Sequence, residues 1–271
     1  MIKRLALFLA IAVGLLACLG YWAATTNATQ RKFLWHVTGW PKGATAVRLV
    51  LISDLHVVEP DMPTTRLAGI VQRINALRPD CVLIAGDLIS DRLLSTRHVP
   101  FDEALAPLAA LRPKIATMAV LGNHDHGRNG NDATAALRKY GVRVLSNDAA
   151  RCGALAIGGI DDIYTGHDNI AATEIALKRV GGIRVMLTHS PDVFPQVSDA
   201  RLTLAGHTHC GQISLPFYGP PAIPSKYGRR FACGVIRENG KFLIVTAGLG
   251  VSVVPIRWNA PSDFWIVTVG S

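Results

Sequence analysis

The sequence lacks the marks of several large functional classes. It has no run of five or more basic residues, and its aromatic residues, 7% of the chain, do not interleave with basic ones. Nucleic-acid binding therefore has little support. No C-x-x-C pair occurs, and the five cysteines (Cys18, Cys81, Cys152, Cys210 and Cys233) are odd in number. That pattern argues against a cysteine zinc site and against a disulfide framework. Cys81 opens an apolar run, and Cys210 reads as an apolar filler. There is no internal repeat and no low-complexity segment. Charged residues are 17% against 49% hydrophobic ones, which excludes a disordered chain.

The 271 residues suffice to bury a substantial core. The formal charge of +9 suits anionic partners such as phosphorylated substrates or anionic lipid head groups. After "MIKR", the stretch Leu5 to Ala24 carries no charge. A segment of about 20 such residues can cross a hydrocarbon core of about 30 Å, and Tyr21 and Trp22 suit its interface. Residues 1–24 are expected to be a single-pass membrane anchor. No A-x-A site follows the apolar run, so an uncleaved signal anchor fits better than a cleaved signal. Lys3 and Arg4 before the span nearly balance Arg31 and Lys32 after it, leaving a mild preference for an outward-facing body. Residues 25–45 read as a linker and lead-in, with Thr25 to about Lys32 polar, and residues 46–271 as one domain.

Within that domain, strand-like runs ("AVRLVLISD", "CVLIAGD", "TMAVLGNHD") alternate with helical patterns. Leu67, Ile70, Val71, Ile74 and Leu77 recur at helical spacing, and Leu105, Leu108 and Leu111 predict another helix ended by Pro113. "NDATAALRKYG" predicts a helix capped by Asn131 or Asp132 and closed by Gly141. Later segments are β-rich: "ALAIGGIDD", "IRVMLTHS", "LTLAGHTH", a hairpin turning at Asn239-Gly240, and "DFWIVTVG". The pattern implies a mixed sheet or pair of sheets flanked by helices.

Polar residues gather where strands end, the edge at which α/β sheets place their sites. Asp54 and His56 follow one strand, Asp87 the next, and Asn123, His124 and Asp125 a third. His189 follows a later strand, and His207 with His209 the one after it. Asp54, His56, Asp87, Asn123, His189, His207 and His209 exceed the needs of one tetrahedral ion and suit two ions sharing a carboxylate. Mixed imidazole and carboxylate donors favour Mn²⁺, Fe or Zn²⁺ over Mg²⁺ or Ca²⁺. Paired ions can clamp a phosphate and generate a hydroxide near neutral pH. His124 is then free to donate a proton to a leaving oxygen.

The order D-x-H, GD, GNH[DE], H, GHxH resembles the signature of the calcineurin-like metallophosphoesterase superfamily, from about Ala46 to about Ile213. "GHTHCGQI" and "PSKYGRRFACG" are most similar to its small bacterial membrane-associated branch, the YaeI/YkuE-like phosphodiesterases. The resemblance implies an α/β fold, a four-layer αββα sandwich of two mixed β-sheets flanked by helices, here preceded by the N-terminal membrane helix. It implies a hydrolase dependent on two divalent ions, at the inner membrane of a bacterial cell, acting on a lipid- or envelope-associated phosphoester. By motif, Asp54, His56 and His209 would hold one ion, Asn123, His189 and His207 the other, with Asp87 between them and His124 as acid. Relatives often place an aspartate three residues after the bridging one to orient that histidine. Here Ser90 stands there, leaving Asp91 or Asp125, between which the sequence does not choose.

Alternatives accompany these expectations. UDP-2,3-diacylglucosamine diphosphatase activity in lipid A biosynthesis would require a cytoplasmic body, and a non-catalytic metal-binding scaffold at the membrane would keep the fold without turnover. Lys226, Arg229 and Arg230 in "SKYGRR" read as a phosphate or head-group clamp rather than a solvated hairpin approach. His126, Arg128 and Asn129 fit a solvated loop at least as well as a substrate contact, and Asp161 and Asp162 fit turn residues equally well.

Overall fold

In a computed structural model describing residues 1–271, the apolar runs form two six-stranded mixed sheets packed face to face. The first has the order β1 (Thr29–His36), β12 (Asp263–Gly270), β2 (Val47–Ile52), β3 (Cys81–Ala85), β4 (Ala116–Val120) and β5 (Val142–Val144). Strands β2 to β5 run parallel, and β12 lies antiparallel to β2. The second sheet has the order β10 (Gly234–Glu238), β11 (Lys241–Val245), β9 (Leu202–Ala205), β8 (Ile183–Thr188), β7 (Leu155–Ile160) and β6 (Asp148–Cys152). There β11, β9, β8 and β7 are parallel, and β10 and β6 close the edges antiparallel.

Alternation decides which side chain faces which layer. Leu49, Leu51, Leu83 and Val120 pack between the sheets against Ile157, Val185, Leu187 and Ile244. Val50, Ile52, Val82 and Ile84 point the other way, into helices α2 (Thr64–Ala76), α3 (Phe101–Leu105) and α4 (Asn123–Lys139). Helix α5 (Ile170–Val180) covers the second sheet through Ala176 and Leu177. These are the four expected layers. Strand β3 is buried along its whole length because both of its faces are covered.

The N-terminal helix α1 (Ile2–Thr25) has a mean hydropathy of 2.3 over its most apolar 18 residues and is long and apolar enough to cross a membrane. Only Gly20 and Ala24 of α1 are buried. Its last turns dock on the body: a Cβ at Gly20 would collide with Ile256, and the Arg257 N–H donates to the Gly20 carbonyl at 3.0 Å.

Four expectations change. The segment expected as a linker contains β1, which pairs with β12 along its length, so the folded body begins well before residue 46. Its polarity misleads because β1 is a sheet edge with one face in solvent. The expected helix near Leu105 is split, with α3 followed by a 3-10 turn over Ala106–Ala110. Helix α4 starts at Asn123, inside the polar block, and kinks at Asn129. The Asn129 side chain accepts the backbone N–H groups of Asn131 and Asp132, so Asn129 itself caps the second segment.

The fourth change concerns the cysteines. Cys81 is bonded to Cys152 and Cys210 to Cys233, while Cys18 is free. The odd cysteine lies in α1; Cys81 and Cys152, 71 residues apart, meet only once both sheets are assembled, and Cys210 and Cys233, 23 residues apart, meet within the connection from β9 to β10. Cys81 opens β3 and Cys152 closes β6, so their bond pins one sheet to the other through the central layer. Replacing both with alanine should lower unfolding free energy by about 2–4 kcal/mol in urea titrations, chiefly by releasing the unfolded chain. An unchanged urea midpoint would show that the bond carries no such restraint.

Candidate metal centre

The expected metal ligands stand just past strand ends, five of them on left-handed backbone. Asp54, His56, Asp87, His207 and His209 have φ of 49°, 44°, 55°, 69° and 51°. Left-handed backbone at non-glycine residues costs on the order of 1–3 kcal/mol each and persists only where surroundings enforce it. The enforcing contacts are visible. Asp125 accepts the N–H groups of Gly122, Asp87 and Leu88 at 2.8–2.9 Å, which fixes the turn after β3. The Asp54 carboxylate accepts the His207 N–H at 3.0 Å and the Ser53 hydroxyl at 2.6 Å, tying the turn after β2 to the turn after β9. Gly206 and Gly122 lie so close to these groups that an added Cβ would collide with Asp54 and Asp87 respectively.

These turns converge the side chains. His209 Nε2 lies 3.2 Å from His56 Nε2 and 3.4 Å from Asp54 Oδ1. On the other side, His189 Nε2 lies 3.0 Å from His207 Nδ1 and 3.2 Å from Asn123 Oδ1. Asp87 stands between the two groups, its Oδ2 3.5 Å from His56 Nε2 and 3.3 Å from His189 Nε2. His189 Nδ1 donates to the Ala85 carbonyl at 2.7 Å, which aims Nε2 inward. Imidazole nitrogens face one another with carboxylate and amide oxygens around them, and there are too few N–H groups to satisfy all these lone pairs. Such a donor set fits divalent metal ions, and Asp54–His56–His209, His56–Asp87–His124 and Asp87–His189–His207 each gather within 4.8 Å.

Residues 47–211 match the calcineurin-like phosphoesterase family. The chain belongs to that family. It is 29% identical over 242 residues to the uncharacterized metallophosphoesterase YkuE of Bacillus subtilis, covering 85% of this chain and 82% of that one. An uncharacterized metallophosphoesterase of Aquifex aeolicus is 28% identical over 242 residues, 84% of this chain and 87% of that one. A transmembrane protein with metallophosphoesterase domain from Danio rerio is 29% identical over 82% of this chain but only 53% of its own, so the chain spans about half of that relative. This phosphoesterase is accordingly a phosphoric ester hydrolase of a metal-dependent family.

The ring of His124, half-buried, sits edge-on to His56 with centroids 5.0 Å apart, and the His124 backbone N–H donates to Asp87 Oδ1 at 3.0 Å. Neither candidate aspartate orients its ring. Asp125 is saturated by backbone N–H groups, and Asp91 pairs with Arg128 at 2.6 Å. The three cations of "SKYGRR" do not line the cavity in front of the centre. Arg230 pairs with Glu238, Arg229 lies 4.4 Å over the Tyr218 ring, and Lys226 lies 5.2 Å over the Tyr227 ring. His126 hydrogen-bonds Asp161 at 2.7 Å. Sequence reasoning missed Arg257, whose fully buried guanidinium donates to the carbonyls of Ala247, Gly250 and Ala260 and holds the loop behind Asp54. Its only sequence signal is an arginine within an apolar stretch. Tyr164, packed 4.4 Å from the His207 ring, was missed as well.

Electrostatics divide the histidines. Burial lowers His56 to about 4 and His207 to about 3, so both rings are neutral and ready to ligate at neutral pH. Burial also opposes charge on His189, but the adjacent Asp87 carboxylate outweighs it and raises His189 to about 10. Burial likewise works against the Asp87 charge, which His189 and His56 nevertheless hold well below the ordinary carboxylate range. In the metal-free centre a proton on His189 therefore takes the place of a cation beside Asp87. Since ligation requires the neutral ring, Mn²⁺ binding near neutral pH should release about one proton, mainly from His189. Affinity should tighten as pH rises toward that value of about 10. Calorimetric titrations in buffers of differing ionisation heat test this; affinity independent of pH between about 6 and 9 would contradict it.

Proposed function

We propose that this chain is a membrane-anchored phosphoesterase working with two divalent ions on a lipid- or envelope-associated phosphoester outside the cytoplasm. The observation that carries the reading is the position of Asp87, whose Oδ2 faces His56 and His189 at 3.5 and 3.3 Å. A carboxylate shared between two sets of donors suits a pair of ions rather than one. Asp54, His56 and His209 would hold the first, Asn123, His189 and His207 the second, with Mn²⁺, Fe or Zn²⁺ matching these donors. When bound, such ions neutralise phosphoryl charge and lower the pKa of water near neutrality.

The chain's own residues do the rest. Asp87 and Asp54, both buried carboxylates, would supply the negative charge that holds the ions against which a phosphoryl group is positioned. His124 lines the cavity and is placed to protonate a leaving oxygen. Burial of the centre behind the turns of Gly86, Gly122 and Gly206 keeps these groups in fixed geometry before substrate arrives.

The docking of α1 against Ile256 and Arg257 supports an uncleaved anchor. Two disulfides suit an oxidising compartment and support the outward orientation. They weigh against the cytoplasmic lipid A reaction. The scaffold alternative finds no support in a centre where every expected ligand position is filled by a competent donor.

A reporter fused after Ser271 should be active only outside the cytoplasm, and a cytoplasmic signal would reverse the orientation. Asp87→Ala should abolish hydrolysis of bis-p-nitrophenyl phosphate and reduce metal content at both positions. His124→Ala should keep its metal yet slow turnover by about 10²–10⁴-fold. Metal loss in that variant would make His124 a ligand instead.

A further inference from the structure

The cavity before the centre, about 500 Å³, is lined by the site residues and by two segments that are mainly apolar. Asp87, Asn123, His124, His207 and His209 line it from the centre, and Ile213, Ile223, Pro224, Val253 and Val254, with Gln212 and Ser252 among them, form the rest of its wall. A soluble phosphoester of compact, polar character gains nothing from such a wall. Beyond it, the same two segments end in side chains that have no protein to cover them: Phe217 is 111% exposed, Val253 77%, Tyr218 59% and Leu215 45%. Scattered exposed apolar residues need no explanation, but a contiguous set rimmed by polar groups marks an interaction surface.

Contiguity here is built by hydrogen bonds. The Gln212 side chain donates to the Val254 carbonyl and accepts the Ser252 N–H, both at 2.8 Å, and the Ser214 N–H donates to the Trp258 carbonyl at 2.8 Å. The second segment is also the one that receives α1, through Ile256 against Gly20 and Arg257 on the Gly20 carbonyl. One strap of chain therefore touches the membrane-length helix at one end and walls the cavity at the other. Beside the rim, exposed Arg229 stacks on Tyr218 and exposed Lys226 on Tyr227. Aromatic and aliphatic tips with cations next to them match the boundary between acyl chains and anionic head groups.

We infer that Leu215, Phe217, Tyr218 and Val253 form a second membrane contact, which seats the mouth of the cavity on the bilayer that holds α1. The substrate class that follows is the phosphoester of a membrane lipid. Its head group reaches the centre past His124, and its first methylenes run along Ile213, Ile223, Val253 and Val254. This inference rests on α1 spanning a membrane and on the centre hydrolysing a phosphoester, and its test separates the three.

The full chain is reconstituted in vesicles of phosphatidylethanolamine and phosphatidylglycerol in equal parts. An environment-sensitive fluorophore is attached through Phe217→Cys in a Cys18→Ser background, with Lys42→Cys, at the opposite edge of the first sheet, as the comparison. The label at 217 should shift to the blue, be quenched by spin-labelled lipids and be shielded from iodide, while the label at 42 behaves as in water. If both labels meet iodide equally while alkaline carbonate leaves the chain in the vesicles, the second contact is wrong and the anchor stands. If carbonate extracts the chain, the anchor falls, and the inference with it.

Phe217→Asp, at a position outside the centre and its cavity, should leave hydrolysis of bis-p-nitrophenyl phosphate unchanged. Its rate on phosphatidyl-p-nitrophenol embedded in the same vesicles should fall roughly tenfold. Equal retention of both rates would overturn the proposed route for lipid substrates. Absence of turnover in the unaltered, metal-loaded chain would overturn the hydrolase reading and leave the label experiment to decide the contact.

Discussion

A carboxylate buried between imidazoles is the constraint on which this structure turns. Asp87 has almost no contact with solvent, and burial alone would force it to take up a proton. His189 above all keeps it charged. In turn, the charge on Asp87 and the burial around it set His189 apart from His56 and His207. Displacing either Asp87 or His189 would leave the other's charge without its counterpart in a medium where such a charge is costly. The left-handed turns at five of the site residues are held in place by backbone donors to Asp54 and Asp125.

The two-sheet architecture serves that constraint. Parallel strands β2, β3 and β4 bring three turns to one edge, and β8 and β9 bring two more from the facing sheet. A shared site between sheets requires that the sheets not slide, and their interdigitated apolar layer supplies that stiffness. The Cys81–Cys152 bond crosses the same layer. Near the centre, Cys210 follows His209 directly and is bonded to Cys233, which ties the turn after β9 to the segment leading into β10. Buried Arg257 performs a similar service for the loop between β11 and β12 by collecting carbonyls that have no strand partner.

That last loop also gives the molecule its polarity. It backs Asp54 through Gly248 and Gly250, walls the cavity through Val253 and Val254, and receives α1 at Ile256 and Arg257. An apolar helix and a phosphoester centre are thus joined within one short run of chain.

The sequence by itself determined the alternation of strands and helices, the eight polar residues at strand ends, the membrane-length apolar segment and the family. All of these are carried by local periodicity or by short motifs, and so survive without knowledge of distant contacts. Strand β1 escaped notice because half-solvated edge strands look like polar linkers, and the split of α4 at Asn129 because a side-chain cap leaves little trace in hydropathy. Pairing of the cysteines was misjudged for a deeper reason. The bond between Cys81 and Cys152, 71 positions apart, depends on which strands become neighbours, a property of the assembled sheets. The same holds for Asp125 as a brace rather than a partner of His124, for Arg257, and for the apolar wall facing the centre. Only tertiary structure decided these, because each depends on groups that the chain brings together from far apart.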